Sequence, residues 1–163
     1  MSRSEAGGWR GFFAPVLAGY CGLLIGVGMG RFGYPPLIPA MVEAGWATPT
    51  TLHLGGAFNL AGYIIGAGTA LASARTLGVR AAIALAAALA VTAFAASAVP
   101  LPAWLFIALR ALSGATGGVL MIVIPPVIAN VVAPSHRGRA NGLAFAGVGT
   151  GFVLSGTAVP AFT

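Results

Sequence analysis

Five long apolar stretches, separated by short connections, occupy most of this chain. A membrane-spanning helix needs about 20 mostly apolar residues, and each stretch reaches that length. The predicted spans are residues 12–41, 52–74, 79–99, 102–132 and 140–162. Because no connection is long enough to form a soluble domain, functional groups must lie within or between the helices. The sequence therefore predicts an all-α membrane protein with a single membrane domain over residues 1–163.

The composition agrees with a surface that faces lipid rather than water. Hydrophobic residues make up 58% of the chain and charged residues 6%, whereas a soluble domain carries about 25% charged residues. The net charge is +6, but the arginines are scattered, and a nucleic-acid-binding surface needs a clustered basic stripe. We therefore predict contact with the lipid bilayer and no nucleic-acid partner.

The arginines beside the connections indicate the orientation of the chain in the membrane. Short cytoplasmic connections collect arginine and lysine. If the five spans alternate in direction, all of these arginines lie on one side: Arg3, Arg10, Arg75, Arg80, Arg137 and Arg139. This pattern predicts a cytoplasmic N-terminus. The absence of lysine beside abundant alanine, glycine and arginine is typical of a GC-rich bacterial genome, so the expected location is the bacterial inner membrane.

Glycines recur at four-residue spacing in four of the five spans. Small residues one turn apart allow helix backbones to approach closely, which matters in lipid because no hydrophobic effect drives the helices together. The predicted helix-packing residues are Gly22, Gly26, Gly30, Gly62, Gly66, Gly114, Gly118, Gly147 and Gly151. The third span is mostly alanine, and we predict that it supports the other helices.

Two arginines, Arg110 and Arg31, lie inside predicted spans. An arginine at the centre of a spanning helix costs about 2.5–3.5 kcal/mol and marks a functional candidate. The acidic residues are Glu5 and Glu43, and only Glu43 lies on the same side as Arg31. For Arg110, three kinds of partner remain open: carbonyls freed by a helix break, a segment or subunit outside this chain, or an anionic ligand. For Arg31, carbonyls freed by the following prolines and Glu43 are the favoured partners.

Asn59 and Tyr63 lie one turn apart on the second span and would share one helix face. Such a face either lines a solute path or forms interhelical hydrogen bonds, which are worth about 0.6 kcal/mol each. The sequence has no His-Glu-x-x-His motif, no paired carboxylates and no phosphate-binding loop with a lysine. We therefore predict no enzymatic activity, and neither catalytic residues, a metal site nor a cofactor.

Several motifs resemble those of a transporter superfamily. The sequence Arg110-Ala-Leu-Ser-Gly114 resembles the span-four motif of the Major Facilitator Superfamily, and residues 147–156 resemble the glycine-rich span-five motif of its antiporters. Residues 28–39, 59–66 and 139–149 resemble the YbfB/YjiJ-type branch. The resemblance implies a carrier of two six-helix bundles that works by alternating access around a site near the membrane midplane.

By this resemblance, the chain is the N-terminal portion of a secondary active transporter for a small solute, an anion being one candidate. Spans one, two, four and five would line the cavity. The residues expected at the substrate site or along the path are Arg110, Arg31, Asn59 and Tyr63. Because the sequence stops after the fifth span, we expect a truncated N-terminal half that needs the missing C-terminal spans or a second polypeptide. The alternative is a non-transporting membrane subunit or gene remnant with only a structural role.

Overall fold

The apolar stretches fold into helices because a backbone in lipid has to satisfy its hydrogen bonds internally. The computed structural model describes the backbone of residues 3–162 and the side chains of residues 12–157, so the side chains of Arg3 and Arg10 lie outside the described residues. The described chain contains helices and turns without a strand, which confirms the all-α prediction. The α-helices are α1 (Arg3–Leu23), α2 (Ile38–Glu43), α3 (Pro49–Leu77), α4 (Val79–Ala96), α5 (Ala103–Val131) and α6 (Arg137–Phe162).

Four helical segments in the described part of the chain are long and apolar enough to cross a membrane. They are Phe12–Glu43, α3, α4 and α5. Helix α6 occupies the position of the fifth predicted span and contains 26 residues. At 1.5 Å per residue it is about 39 Å long, which exceeds the roughly 30 Å of a hydrocarbon core. Its glycines, its threonines and Asn141 lower its hydropathy relative to the other helices.

The first spanning segment changes its helix type before it ends. Helix α1 continues as a π-helix over Leu24–Phe32, which we call the π segment. A 3₁₀ turn, Pro35–Leu37, and the short helix α2 follow it. Proline has no backbone N–H, so Pro35 and Pro36 remove two hydrogen-bond donors directly after the π segment. The π geometry is rare and frequently occurs at functional sites.

Helices α3 and α5 lie with their backbones in direct contact. A Cβ atom added to Gly62 or Gly66 of α3 would collide with the backbone of α5. The contact is reciprocal, because a Cβ atom on Gly114 or Gly118 of α5 would collide with the backbone of α3. All four glycines are buried, and they set the close approach of the two helices.

Glycines also bring the first spanning segment close to its two neighbours. Gly22 and Gly26 face the side chains of Ile124 and Leu120 in α5. On another face of the π segment, Gly28 meets the backbone of α6. The α6 glycines at this contact are Gly147, which faces the backbone of Tyr20, and Gly151, which faces Gly28. The π segment is therefore held between α5 and α6.

Helix α4 packs against α5 through a row of small residues. Its buried positions are Ala82, Ala86, Ala90 and Ala93, which recur every three or four residues. The remaining side chains of α4 are largely exposed, including Leu85 and Val91. Helix α4 thus adds one apolar layer to α5.

Candidate functional site

Arg110 is buried between the π segment and α3, and only 2% of its surface is exposed. Its Nη2 atom donates a hydrogen bond of 2.9 Å to the carbonyl oxygen of Gly30. Its guanidinium carbon lies 4.1 Å from the centre of the Tyr34 ring. A hydrogen bond to a charged group contributes about 1.5–3 kcal/mol, and a desolvated cation–π contact about 2 kcal/mol. Together these contacts offset the cost of placing an arginine in the span.

The helix break explains why the Gly30 carbonyl accepts a hydrogen bond from a side chain. In π geometry this carbonyl would accept from the N–H five residues later. That residue is Pro35, and proline has no N–H to donate. Arg110 supplies the donor that Pro35 lacks. Of the three kinds of partner open for Arg110, the structure contains the first, a carbonyl at a helix break.

Tyr34 and Asn59 connect this arginine to α3. The Tyr34 hydroxyl donates a hydrogen bond of 2.6 Å to the carbonyl of Leu52, which holds the ring against the Arg110 guanidinium. The Asn59 Nδ2 atom donates a bond of 2.9 Å to the backbone carbonyl of Arg110. Both side chains are buried. We call Arg110, Asn59, Tyr34 and Gly30 the buried arginine cluster.

Arg31 lies in a more open environment at the end of the π segment. Its guanidinium carbon is 5.1 Å from the centre of the Tyr63 ring and 5.8 Å from that of Phe32. The Phe32 ring in turn contacts the Phe152 ring of α6 edge-on, with 5.7 Å between the ring centres. Glu43, the acid favoured as a partner for Arg31, is exposed at the end of α2. We call Arg31, Tyr63, Phe32 and Phe152 the aromatic arginine cluster.

The four predicted path residues therefore divide between two clusters. Arg110 and Asn59 belong to the buried arginine cluster, and Arg31 and Tyr63 belong to the aromatic arginine cluster. The clusters are adjacent, because Gly30 and Arg31 are consecutive residues. Sequence reasoning missed Tyr34, although an aromatic residue directly before two prolines was a signal that it borders the helix break.

The two clusters contain cations, aromatic rings and amides but no carboxylate. Within the residues that the structure describes, no group of three or more His, Cys, Asp and Glu side chains is placed to hold a metal ion. The half-buried Arg31 can attract an anion electrostatically, and the Tyr63 ring beside it offers an apolar surface. These are properties of a binding surface.

A pocket of about 450 Å³ lies beside the buried arginine cluster, between α2, α4 and α5. Its walls are mainly apolar and include Leu37, Met41 and Phe94. Arg110 and Tyr34 border it. We call this the side pocket.

One comparison with known proteins gives a match and two do not. The family model described as "Uncharacterised MFS-type transporter YbfB" matches residues 23–163. That range includes both arginine clusters, and it covers most of the chain. No curated protein and no solved structure gives a significant match. The chain is thus a multi-pass membrane protein that belongs to the YbfB-type family of Major Facilitator Superfamily transporters.

Proposed function

We propose that this chain forms the N-terminal portion of a secondary active transporter that moves a small solute, with anions favoured, across the bacterial inner membrane by alternating access. The observation that carries the proposal is the environment of Arg31. This cation lies in a membrane-spanning segment and is only partly buried. Among the described residues it contacts aromatic rings rather than an acid. A cation in that position is costly unless water or an anion reaches it.

The two arginine clusters support different roles in this transport. Arg31 and Tyr63 are accessible enough to contact a solute, so we assign them to the translocation path. Arg110 is 2% exposed, and it binds the carbonyl of Gly30, the residue directly before Arg31. We therefore assign Arg110 and Asn59 to positioning the π segment, through which they set the position of Arg31.

Uptake by membrane vesicles from cells that produce the intact transporter, with this chain as its N-terminal portion, would test this proposal. The probes are radiolabelled lactate, succinate, benzoate and phosphate as anions, and glycerol and choline as uncharged and cationic comparisons. We expect at least one anion to enter faster than in vesicles without the protein. Arg31→Ala should lower its initial rate at least tenfold, and Arg31→Lys should restore part of the rate because the charge returns.

The matched control is Arg75→Ala, which removes an exposed arginine at the end of α3 and should leave the rate unchanged. All variants need equal abundance in the membrane, measured by immunoblot. Wild-type uptake by Arg31→Ala would remove Arg31 from the solute path. Uptake of no probe by a protein that is folded and abundant would favour the non-transporting alternative.

A further inference from the structure

The side pocket lies at the end of the helix bundle opposite Arg75 and Arg137. Residues of α2, the C-terminal end of α4 and the N-terminal part of α5 form it. Its volume of about 450 Å³ falls in the range of roughly 300–1,000 Å³ that is typical of small-molecule sites. The aromatic side chains on its walls are Tyr34, Trp46, Phe94 and Phe106. This lining suits an aliphatic or aromatic hydrocarbon group.

Arg110 is the charged side chain on this lining. Within the part of the chain that the structure describes, its guanidinium makes one hydrogen bond, from Nη2 to the carbonyl of Gly30. Its Nε atom is buried and has no hydrogen-bond partner among the described residues, although a guanidinium has five N–H donors. Among the described residues, the pocket therefore combines apolar walls with a cation whose Nε donor is unpaired, and its lining contains no carboxylate.

We propose that the side pocket binds a small amphipathic carboxylate, with its hydrocarbon part between Met41 and Phe94 and its carboxylate directed at Arg110. A carboxylate matches the planar guanidinium and can accept two parallel hydrogen bonds from it. Burial of the hydrocarbon part of the ligand against the apolar walls would strengthen binding. This site is separate from Arg31 and Tyr63, which we assign to the solute path.

The charge on Arg110 is the reason to favour a carboxylate over the acyl chain of an uncharged phospholipid. An acyl chain fills apolar space but leaves the free donors of the guanidinium without an acceptor. A bound carboxylate would supply acceptors at the same place. Because Arg110 also holds the carbonyl of Gly30, occupation of the side pocket would act directly on the π segment.

Quenching of Trp46 fluorescence by brominated ligands would test the proposal, because Trp46 lines the pocket and bromine quenches tryptophan on contact. The protein would carry Trp9→Phe and Trp104→Phe, so that Trp46 is its remaining tryptophan, and would be purified in an uncharged detergent. We expect 8-bromooctanoate to quench saturably. The neutral 8-bromooctan-1-ol should bind at least tenfold more weakly, because it cannot pair with the guanidinium.

Two substitutions give the matched comparison. Ala40→Phe adds a large side chain to the pocket wall on α2, keeps Arg110 in the sequence and should abolish saturable quenching. Ala72→Phe adds the same side chain at an exposed position of α3 and should leave quenching unchanged. Far-ultraviolet circular dichroism would confirm that both variants are folded.

Three outcomes would overturn the proposal. One is equal binding of the carboxylate and the alcohol, and another is saturable quenching that survives Ala40→Phe. The third is quenching by brominated phosphatidylcholine that excess octanoate does not reverse, which would assign the pocket to lipid. Because the readout is binding in detergent, each of these outcomes leaves the transport proposal standing.

Discussion

Gly30, Pro35 and Arg110 act together as one hydrogen-bonding unit, although they are distant in the sequence. Pro35 removes the donor that the Gly30 carbonyl would use in a continuing π-helix, and Arg110 replaces it from α5. The contributions of Pro35 and Arg110 to stability are therefore coupled. A substitution of either residue changes the contribution of the other to the free energy of unfolding.

A double-mutant cycle would measure this dependence. Arg110→Met removes the side-chain donor, and Pro35→Ala provides a backbone N–H that can take its place. We expect Arg110→Met to lower the free energy of unfolding in both the wild type and the Pro35→Ala protein. The decrease should be about 1 kcal/mol smaller in the Pro35→Ala protein, since a hydrogen bond to a charged group contributes roughly 1.5–3 kcal/mol. Unfolding in mixed detergent with increasing dodecyl sulfate, followed by circular dichroism, provides these free energies.

Pro36→Ala is the matched control for this cycle. Pro36 lies in the 3₁₀ turn Pro35–Leu37, so the N–H that the alanine introduces is one residue too far along the chain to replace the donor for the Gly30 carbonyl. The cost of Arg110→Met should therefore be the same in the Pro36→Ala protein as in the wild type. Equal costs in all three backgrounds would show that Arg110 does not replace the donor missing at Pro35.

The sequence predicted part of the environment of Arg110. The cost of an arginine in lipid identified Arg110 as a residue that needs a partner, and a carbonyl at a helix break was one of the options. The choice among carbonyls depends on how α5 packs against the π segment, which no local pattern encodes. Tyr34 was missed for the same reason, because its contact with Arg110 joins residues 76 positions apart.

The element that sequence reasoning described least well is the end of the first span. Three prolines predicted that the helix would break near Arg31, and the chain does leave α-helical geometry there. The prediction did not include the π segment, Leu24–Phe32. A π-helix differs from an α-helix by one residue in its hydrogen-bond register, and neither composition nor apolar spacing reports that difference.

The α3–α5 contact shows what glycine spacing predicts and what it leaves open. The four-residue spacing indicated that glycines such as Gly66 and Gly114 would lie at helix contacts. It did not indicate which helix each one would face. The structure pairs α3 with α5 by reciprocal contacts, in which the glycines of each helix lie against the backbone of the other.

Two alanine substitutions on α3 would test the importance of this close approach. In Gly66→Ala the new Cβ atom meets the backbone of Ala115 in α5, so the helices have to separate. Overpacking of this kind costs about 1–3 kcal/mol, and we expect the free energy of unfolding to fall by that amount. In Gly68→Ala, two residues away, nothing lies within 4 Å of the new atom.

Gly68→Ala should be neutral or stabilising by up to about 1 kcal/mol, because alanine favours helices more than glycine does. Gly147→Ala and Gly149→Ala form a second matched pair on α6, since only Gly147 faces a neighbouring backbone. Dodecyl sulfate titrations of the four purified variants would give the comparison. Equal stability within each pair would contradict a backbone contact between these helices.

At the scale of the whole molecule, the charged connections separate into two ends of the bundle. Arg75, Arg80, Arg137 and Arg139 are exposed at one end, and the exposed acid of the described chain, Glu43, lies at the other. Arginine-rich connections are retained in the cytoplasm during insertion. The bundle is therefore predicted to orient with α1 starting at the cytoplasmic face and the side pocket near the outer face.

Labelling of single cysteines in intact cells would test this orientation. Cys21 is the chain's own cysteine, and it is exposed, so Cys21→Ala provides the background. Val99→Cys places a thiol in the connection between α4 and α5, and Ser135→Cys places one between α5 and α6. Both positions are exposed. A membrane-impermeant maleimide should label the Val99→Cys protein in intact cells and the Ser135→Cys protein only after the membrane is opened.

The orientation determines from which side each site can be reached, so the result bears on both proposals. Complete labelling of both thiols in opened membranes is the control that each site is reactive. The reverse pattern would place the arginine-rich end outside, against the charge bias of the connections. With the predicted pattern, an amphipathic carboxylate would reach the side pocket from the outer face. Added 8-bromooctanoate should therefore bind to the pocket in intact cells without first crossing the membrane.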